Sequence, residues 1–339
     1  MRCFVTGATG HVGNVLVKEL YSKGHHVTSL VLPNDKYKDL IEPYTEIVFG
    51  NILDYNLLKE VVKDYDVVYH LAGIVEIGSG KKKKIYNINI EGSKNILKVC
   101  QENKIKRLLY TSSVHAFEEL PKGEITTEPL EFNYKKVKGN YAKTKALASE
   151  LMLNQTDKDL EVVIVCPSGV IGPYDYQLSN TGQLFVDFLL RRLTAYIKGS
   201  YNFVDVRDLV SGIISASIKG RKNEVYLLTG SNISVKDLLD MISEITEMKK
   251  IKTKLARWFI LSMSYFAELY YIARRQKPLF THYSIKVLGA NHLFSYEKAK
   301  KELDYKTRDI KETISDTLDF AKEHYLVKVG NKWKKKLNY

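Results

Sequence analysis

Val5-Thr6-Gly7-Ala8-Thr9-Gly10-His11-Val12-Gly13, close to the N-terminus, is the stretch on which the fold depends. Before it, Arg2 to Val5 reads as a short strand. After it, Val12, Val15, Leu16 and Leu20 recur at helical spacing, with Lys18 and Glu19 on the other side. Strand, glycine turn and helix in that order is the context in which such a motif binds a dinucleotide. Gly7 lets the chain turn sharply, Gly10 lets backbone approach a pyrophosphate, and Gly13 lets the helix pack on the sheet. Thr9, His11 and Val12 complete the turn, and the helix N-terminus presents free N–H groups to phosphate.

Outward from that turn, strand and helix alternate. His26 to Val31, Ile47 to Phe49, Asp66 to Leu71, Lys106 to Ser112 and Val162 to Cys166 read as strands, with helices over Ile85 to Asn103 and Tyr141 to Gln155. The rhythm predicts an α/β fold, a doubly wound parallel (Rossmann) sheet over residues 1–166. It breaks at Pro167. Val225 to Leu228 reads as a strand returning to the sheet, so 201–230 is assigned to the first domain. Residues 167–200 and 231–325 form a smaller, interleaved substrate-binding region with helices over Leu184 to Leu193, around Leu238 to Ile245, and over Ile310 to Tyr325. Residues 326–339 are expected as a basic tail.

The 339 residues suffice for this plan, and 45% hydrophobic content is that of a globular protein. The charge is +13, from 52 Lys+Arg against 39 Asp+Glu. Lysine clusters at 81–84 and 332–336 read as solvated runs, with a peripheral membrane-surface contact left open. Cys3, Cys100 and Cys166 match no metal spacing and read as buried thiols of a reduced compartment. A first strand beginning at Arg2 leaves no room for a leader, and no apolar run reaches the ~20 residues of a spanning helix. The expectation is a cytoplasmic protein without a metal.

Tyr141-Ala142-Lys143-Thr144-Lys145 opens a helix, so Tyr141 and Lys145 share one face a turn apart. A lysine cation beside a tyrosine favours the phenolate and brings its ordinary pKa of about 10 towards neutrality. Tyr110-Thr111-Ser112-Ser113 ends a strand about thirty residues upstream, where a hydroxyl can face the same site. Together with Thr6 and the Gly-x-x-Gly-x-x-Gly spacing, these motifs resemble the short-chain dehydrogenase/reductase superfamily. Specifically, the chain is similar to its extended branch of epimerase/dehydratase and dihydroflavonol-reductase-like proteins, to about residue 325.

That resemblance implies Ser113 as the residue that orients the carbonyl, Tyr141 as acid/base, and Lys145 as both the group that tunes Tyr141 and a ribose contact. It places Leu71-Ala72-Gly73 where the cofactor lies across the strand ends, and Asn51-Ile52 near adenine, with Asn51 where the family usually has Asp. Asn89 matches the family's Asn-x-x-Gly-Thr-x-Asn helix segment. Thr111, Ser112, Pro167, Ser168 and Val170 fall at strand ends and in a loop that resembles the one covering the nicotinamide.

The cofactor implied is NAD or NADP. Relatives of the NAD type carry Asp at the position of Val31, and those of the NADP type Arg at Leu32; both are absent. Lys36 and Lys38 could meet a 2′-phosphate and Asp35 could reach a hydroxyl; the reading leans to NADP. Ser113-Val114-His115 stands where dehydratases have Thr-Asp-Glu, which argues against dehydration, and Ser168 stands where sugar-nucleotide enzymes have Asn. Pro167-Ser168 resembles instead the dihydroflavonol, cinnamoyl and 3β-hydroxysteroid enzymes. His115 is read as a pocket residue, with a second proton donor as its alternative.

The reading is therefore an NAD(P)-dependent oxidoreductase acting on a ketone or secondary alcohol of a bulky, largely apolar molecule. A sugar or sugar-nucleotide epimerase using the same three residues is the runner-up, and a non-catalytic NADP sensor the third reading. Trp258 to Tyr271, the most aromatic and apolar stretch, reads either as an ordinary core helix of the second region or as a helix roofing the pocket over Tyr141; Arg274 and Arg275 follow it, and a membrane-surface contact of 258–275 is left open. The partner expected is a small-molecule substrate and not nucleic acid, with a homodimer left open.

Overall fold

Strand β1 (Arg2–Thr6), buried from Cys3 onward, leads through the glycine turn into α1 (His11–Ser22), which buries Val15, Leu16 and Leu20. The structure, a computed structural model, describes residues 1–75, 82–129, 131–256, 258, 260, 287–330 and 332–336. β2 (His26–Val31) and β3 (Glu46–Phe49) follow. The next helix, α2 (Tyr55–Val61), is opened by Asp54, whose carboxylate accepts from the Leu57 N–H. After β4 (Val67–His70), α3 (Lys82–Tyr86) and α4 (Gly92–Glu102) run on through a π-helical turn, Asn87–Glu91, where one helix was expected over 85–103. Such turns often mark functional positions, and this one holds Asn89. β5 (Arg107–Thr111), α5 (Asn140–Leu153) and β6 (Glu161–Pro167) complete the first half.

From there the order is β7 (Gly169–Ile171), α6 (Asn180–Leu189), β8 (Ala195–Ile197), β9 (Ser200–Asp205), α7 (Val206–Lys219), β10 (Glu224–Leu228), β11 (Ser231–Ser234), α8 (Val235–Thr246) and β12 (Thr253–Leu255). Beyond residue 287 come α9 (Glu297–Leu303), α10 (Ile310–Tyr325), β13 (Leu326–Val329) and β14 (Lys332–Lys335).

The main sheet is parallel, seven strands in the order β10-β6-β5-β4-β1-β2-β3. It is the doubly wound sheet that the alternation predicts, and β10 joins its edge where Val225 to Leu228 was expected to return. Successive side chains point to opposite faces. Phe4, Val68, Leu108 and Ile164 pack with Leu58, Ile96 and Ala146 of α2, α4 and α5. Val5, Tyr69, Leu109 and Val165 pack with Leu16, Ile213 and Leu303 of α1, α7 and α9. Both faces are covered, which is why the central strands read as continuous apolar runs. The chain reverses direction across the sheet between β1 and β4, so a crevice opens beyond their carboxyl ends.

A third core gathers α6, α8 and α10 around Phe185, Leu238 and Leu318, beside a small sheet of β7, β9 and β11. α6 starts four residues earlier than the apolar periodicity suggested, because Ser179 Oγ caps it through the Gly182 N–H. The basic tail expected over 326–339 is not a free tail in its described part. β13 and β14 form an antiparallel hairpin, held by buried Leu326 and by Trp333 packed on this third core.

Among the described residues no helix is long and apolar enough to cross a membrane, and no cluster of metal-ligating side chains occurs. The three cysteines are buried free thiols. The proposed roof, 258–271, and the arginines after it lie outside the described residues except for Trp258 and Ile260.

Candidate active site and dinucleotide cleft

The glycine turn closes against the end of β4. Gly7 has φ +75°, and a Cβ there would lie 2.7 Å from the Ala72 amide nitrogen. A Cβ on Gly13 would lie 2.1 Å from the Gly7 carbonyl oxygen, so α1 meets the turn at backbone contact. Gly10 is the N-cap of α1 and offers no side-chain cap, which leaves first-turn N–H groups for an anion.

Behind the turn, a hydrogen-bond chain crosses from β1 to α5. Ser93 Oγ donates to the Asn89 carbonyl, so His70 Nε2 carries the proton given to Ser93 (2.9 Å). His70 Nδ1 then accepts from Thr6 Oγ1 (2.8 Å), which itself accepts from the Ala72 N–H. Burial first, and the Lys145 cation second, push His70 down to about 3, which keeps it neutral. Asn89 Oδ1 accepts from the Ile74 N–H, and its two amide hydrogens go to the Ile74 carbonyl and to Thr144 Oγ1. Thr144 donates in turn to the Tyr141 carbonyl. Asn89, expected among the cofactor contacts, thus has no amide hydrogen left for a bound group. It ties the end of β4 to the first turn of α5.

Ser113, Tyr141 and Lys145 are all buried at this end of the sheet. Ser113 follows β5 and caps the single turn Val114–Ala116, its Oγ accepting from the His115 N–H (3.2 Å). Its own hydroxyl proton remains for another acceptor. Lys145 Nζ donates to the Thr111 carbonyl at 2.7 Å and lies 3.5 Å from the Tyr110 hydroxyl. Burial lowers Lys145 to about 8. Gly73 comes close enough that a Cβ there would stand 3.4 Å from this Nζ.

The remaining expected contacts divide. Thr111 Oγ1 and Ser168 Oγ, at the ends of β5 and β6, are buried without a hydrogen-bond partner among the described residues. They share this state with Asn14 Oδ1, Glu150 Oε2, Gln155 Oε1 and Thr229 Oγ1, so it is their place at the strand ends that keeps them among the candidate contacts. Leu71 and Ala72 are half-buried beside the turn, and Pro167 and Val170 flank Ser168. Ser112 instead faces α5, donating to Ser149 Oγ, which donates to the Lys145 carbonyl. Ile52 is a core residue packed on Gly92, and Asn51 accepts from the Leu53 N–H in an exposed turn.

At the end of β2, Leu32 is exposed. Lys36 Nζ lies 4.8 Å over the Tyr37 ring, and Lys38 Nζ is 3.5 Å from an Asp39 carboxylate oxygen. The side chain fixed on the glycine turn is that of Asp35, which accepts from Thr9 Oγ1 at 2.7 Å. The lysines that suggested NADP are engaged elsewhere.

Two sets of contacts join expected residues to partners that the sequence did not single out. The loop after β7 is strapped to the glycine turn: His11 Nε2 donates to the Pro173 carbonyl, Asn14 to that of Tyr174, and Gln177 to that of Thr9. Across the site, His115 Nε2 meets the Tyr201 hydroxyl at 2.6 Å, and the His115 ring stands 6.1 Å from that of Tyr141. Tyr201 also packs on His292 (4.6 Å between ring centres) and on Phe203. Burial and His292 push His115 down to about 4, so it is neutral near pH 7.

The close-packed glycine turn and the helix without a side-chain cap suit a nicotinamide dinucleotide. Comparison with known proteins agrees. The family model described as the NAD dependent epimerase/dehydratase family matches residues 3–228. A Synechocystis sp. protein, named provisionally as a dihydroflavonol 4-reductase, is 29% identical over 329 residues, covering 96% of each chain. Sterol demethylase protein B of Methylococcus capsulatus is 25% identical over 335 residues, covering 96% of this chain and 100% of that protein. The crystal structure of gox2253 superposes with a TM-score of 0.83 at 28% identity, covering 95% of this chain and 98% of that one.

Proposed function

The chain is an enzyme of the NAD-dependent epimerase/dehydratase family, and from that premise we propose an NAD(P)-dependent oxidoreductase that interconverts a ketone and a secondary alcohol on a bulky, largely apolar molecule. What supports this reading is that Ser113, Tyr141 and Lys145 are all buried, with Lys145 bonded to the Thr111 carbonyl at the end of β5 and the Tyr141 ring beside that of His115, which follows Ser113.

The turn at Gly7, Gly10 and Gly13, Thr111 and Ser168 would hold the dinucleotide. When bound, it supplies a hydride to the carbonyl carbon or takes one from the carbinol carbon. Tyr141 gives a proton to the substrate oxygen in reduction and takes it back in oxidation. Ser113 donates a hydrogen bond to the same oxygen, since its acceptor side is already engaged by the His115 N–H. The Lys145 ammonium lowers the free energy of the Tyr141 phenolate, and the Thr111 carbonyl holds that ammonium in place. Asn89 and Thr144 fix the backbone from which Tyr141 projects.

The substrate class is argued from the wall beyond Tyr141. It includes the rings of His115, Tyr201, Phe203 and His292, packed on one another. Such a wall suits a flat apolar body better than a sugar nucleotide, whose diphosphate asks for cations. The relative named for sterol demethylation fits the same class.

The test is a cofactor-linked absorbance screen over ketosteroids, flavonoid-like ketones, aldehydes and sugar nucleotides. Net nicotinamide turnover with polycyclic ketones or their alcohols is expected. Conversion of sugar nucleotides alone, with no net change in free cofactor, would replace this reading with the epimerase.

A further inference from the structure

We propose that Asp35 is the specificity-determining residue of the dinucleotide cleft and that it selects NAD over NADP. The proposal rests on the cleft being a nicotinamide dinucleotide site. Its own ground is the junction between the glycine turn and the end of β2. β1 and β2 run side by side in register, Thr6 opposite Leu30, so the loops that follow them emerge together. The chain then turns tightly, the Asp35 N–H donating to the Leu32 carbonyl at 3.0 Å. That turn brings the Asp35 side chain back to the glycine motif, where Thr9 Oγ1 donates to Oδ2 at 2.7 Å. The Tyr37 N–H donates to Oδ1 at 2.8 Å. Both oxygens are pinned, one each by the turn and by the following backbone, and each retains a further acceptor direction.

A carboxylate held this way accepts and does not donate. A ribose diol presents two O–H donors to it. A 2′-phosphate removes one of those donors and sets a dianion against a fixed negative charge. The residues at which an acid or arginine usually makes this choice are Val31, which is buried, and Leu32, which is apolar and exposed. The neighbouring cations make other contacts, Lys36 over the Tyr37 ring and Lys38 at 3.5 Å from an Asp39 carboxylate oxygen. Thr9 is a positioning residue: a member of the glycine turn that fixes the aim of the acid.

Binding separates the possibilities without turnover. The full chain is titrated with NADH and with NADPH by fluorescence or calorimetry, beside Asp35→Asn, Asp35→Ser and Thr9→Ala, with thermal melts to confirm folding. The wild type should bind NADH about tenfold or more tightly than NADPH. Asp35→Asn, which can donate as well as accept, should bring the two within about threefold by weakening NADH and strengthening NADPH. Asp35→Ser repeats the test with a small side chain should the amide disturb the turn. Thr9→Ala keeps the charge but frees its aim, and should weaken NADH a few-fold. Equal or tighter NADPH binding by the wild type overturns the proposal, and so does an unchanged NADH/NADPH ratio in both Asp35 variants. Binding of neither nucleotide refutes the dinucleotide reading itself, a result distinct from failure of Asp35 to discriminate.

Discussion

The glycine-turn side of the cleft draws on a few short stretches, each a strand end running into its helix: Gly7 to Gly13, Leu71 to Gly73 and the turn at Asp35. The wall on the other side takes one ring each from residues 115, 141, 201 and 292, on four different stretches of the chain. The first side is rigid backbone at contact distance. The second is side chains touching side chains. Backbone contacts tolerate no added atom, whereas rings can shift, so equal insults should act differently on the two sides.

Tyr141→Phe, at the boundary between them, should have the largest effect. Turnover should drop by about 10²-fold or more, while cofactor titrations stay near wild type. A Phe variant with near-normal kcat would remove Tyr141 from the chemistry and blur the division.

Next come matched additions of one carbon. Gly13→Ala places a methyl 2.1 Å from a backbone oxygen and should cost about 2–3 kcal/mol of stability together with most cofactor binding. Gly169→Ala places one 2.4 Å from the Tyr201 ring edge and 3.1 Å from the Asn202 carbonyl oxygen, so the closest clash is with a ring that has to shift against His115 and His292 and not with backbone. Melting curves should show little loss there, with KM for substrate rising instead. If Gly169→Ala unfolds the protein and Gly13→Ala does not, the two sides have been assigned the wrong way round.

His70 ties the glycine-turn side to pH. Its folded pKa, about 3, lies below the unfolded value of about 6.5, so the unfolded chain binds the extra proton between them. The stability tied to neutral His70 is complete above about pH 6.5 and lost as pH falls, by about 2 kcal/mol at about pH 5. Denaturant unfolding at a series of pH values should show that slope, and His70→Asn should flatten it even while lowering stability at neutrality.

Tyr201→Phe should have the smallest effect. It removes only the hydroxyl bonded to His115 Nε2, on the ring side. A two- to five-fold fall in kcat/KM is expected, roughly the size of one hydrogen bond, with NADH affinity unchanged. A loss of cofactor binding in this variant would show the two sides to be coupled.

The fold was legible because its signals are local. Alternating strand and helix periodicity, a glycine turn in register with both, and Tyr141 one helical turn from Lys145 all lie within short windows of sequence. α2 went unread although Asp54 was a usable cap signal, and α6 was begun late because Ser179 sits before the apolar periodicity. At the site, matching positions were legible but the direction of side chains was not. Asn89, Ser112 and Ile52 occupy the expected places, yet point into helix packing and the core.

What the sequence determined alone is the parallel sheet, the glycine turn after its first strand and the one-turn spacing of Tyr141 and Lys145, because hydrophobic period and residue spacing act along the chain; Ser113 was singled out by the family resemblance. Only the tertiary structure decided that Thr9 grips Asp35 while Lys36 and Lys38 turn to other partners, that His115 meets Tyr201, and that the basic end folds into a hairpin. The Thr9–Asp35 and His115–Tyr201 bonds join side chains from distant segments, and a hydrogen bond of such length is set by packing in three dimensions; the lysines' contacts with Tyr37 and Asp39 are local and follow from how the turn after β2 is folded.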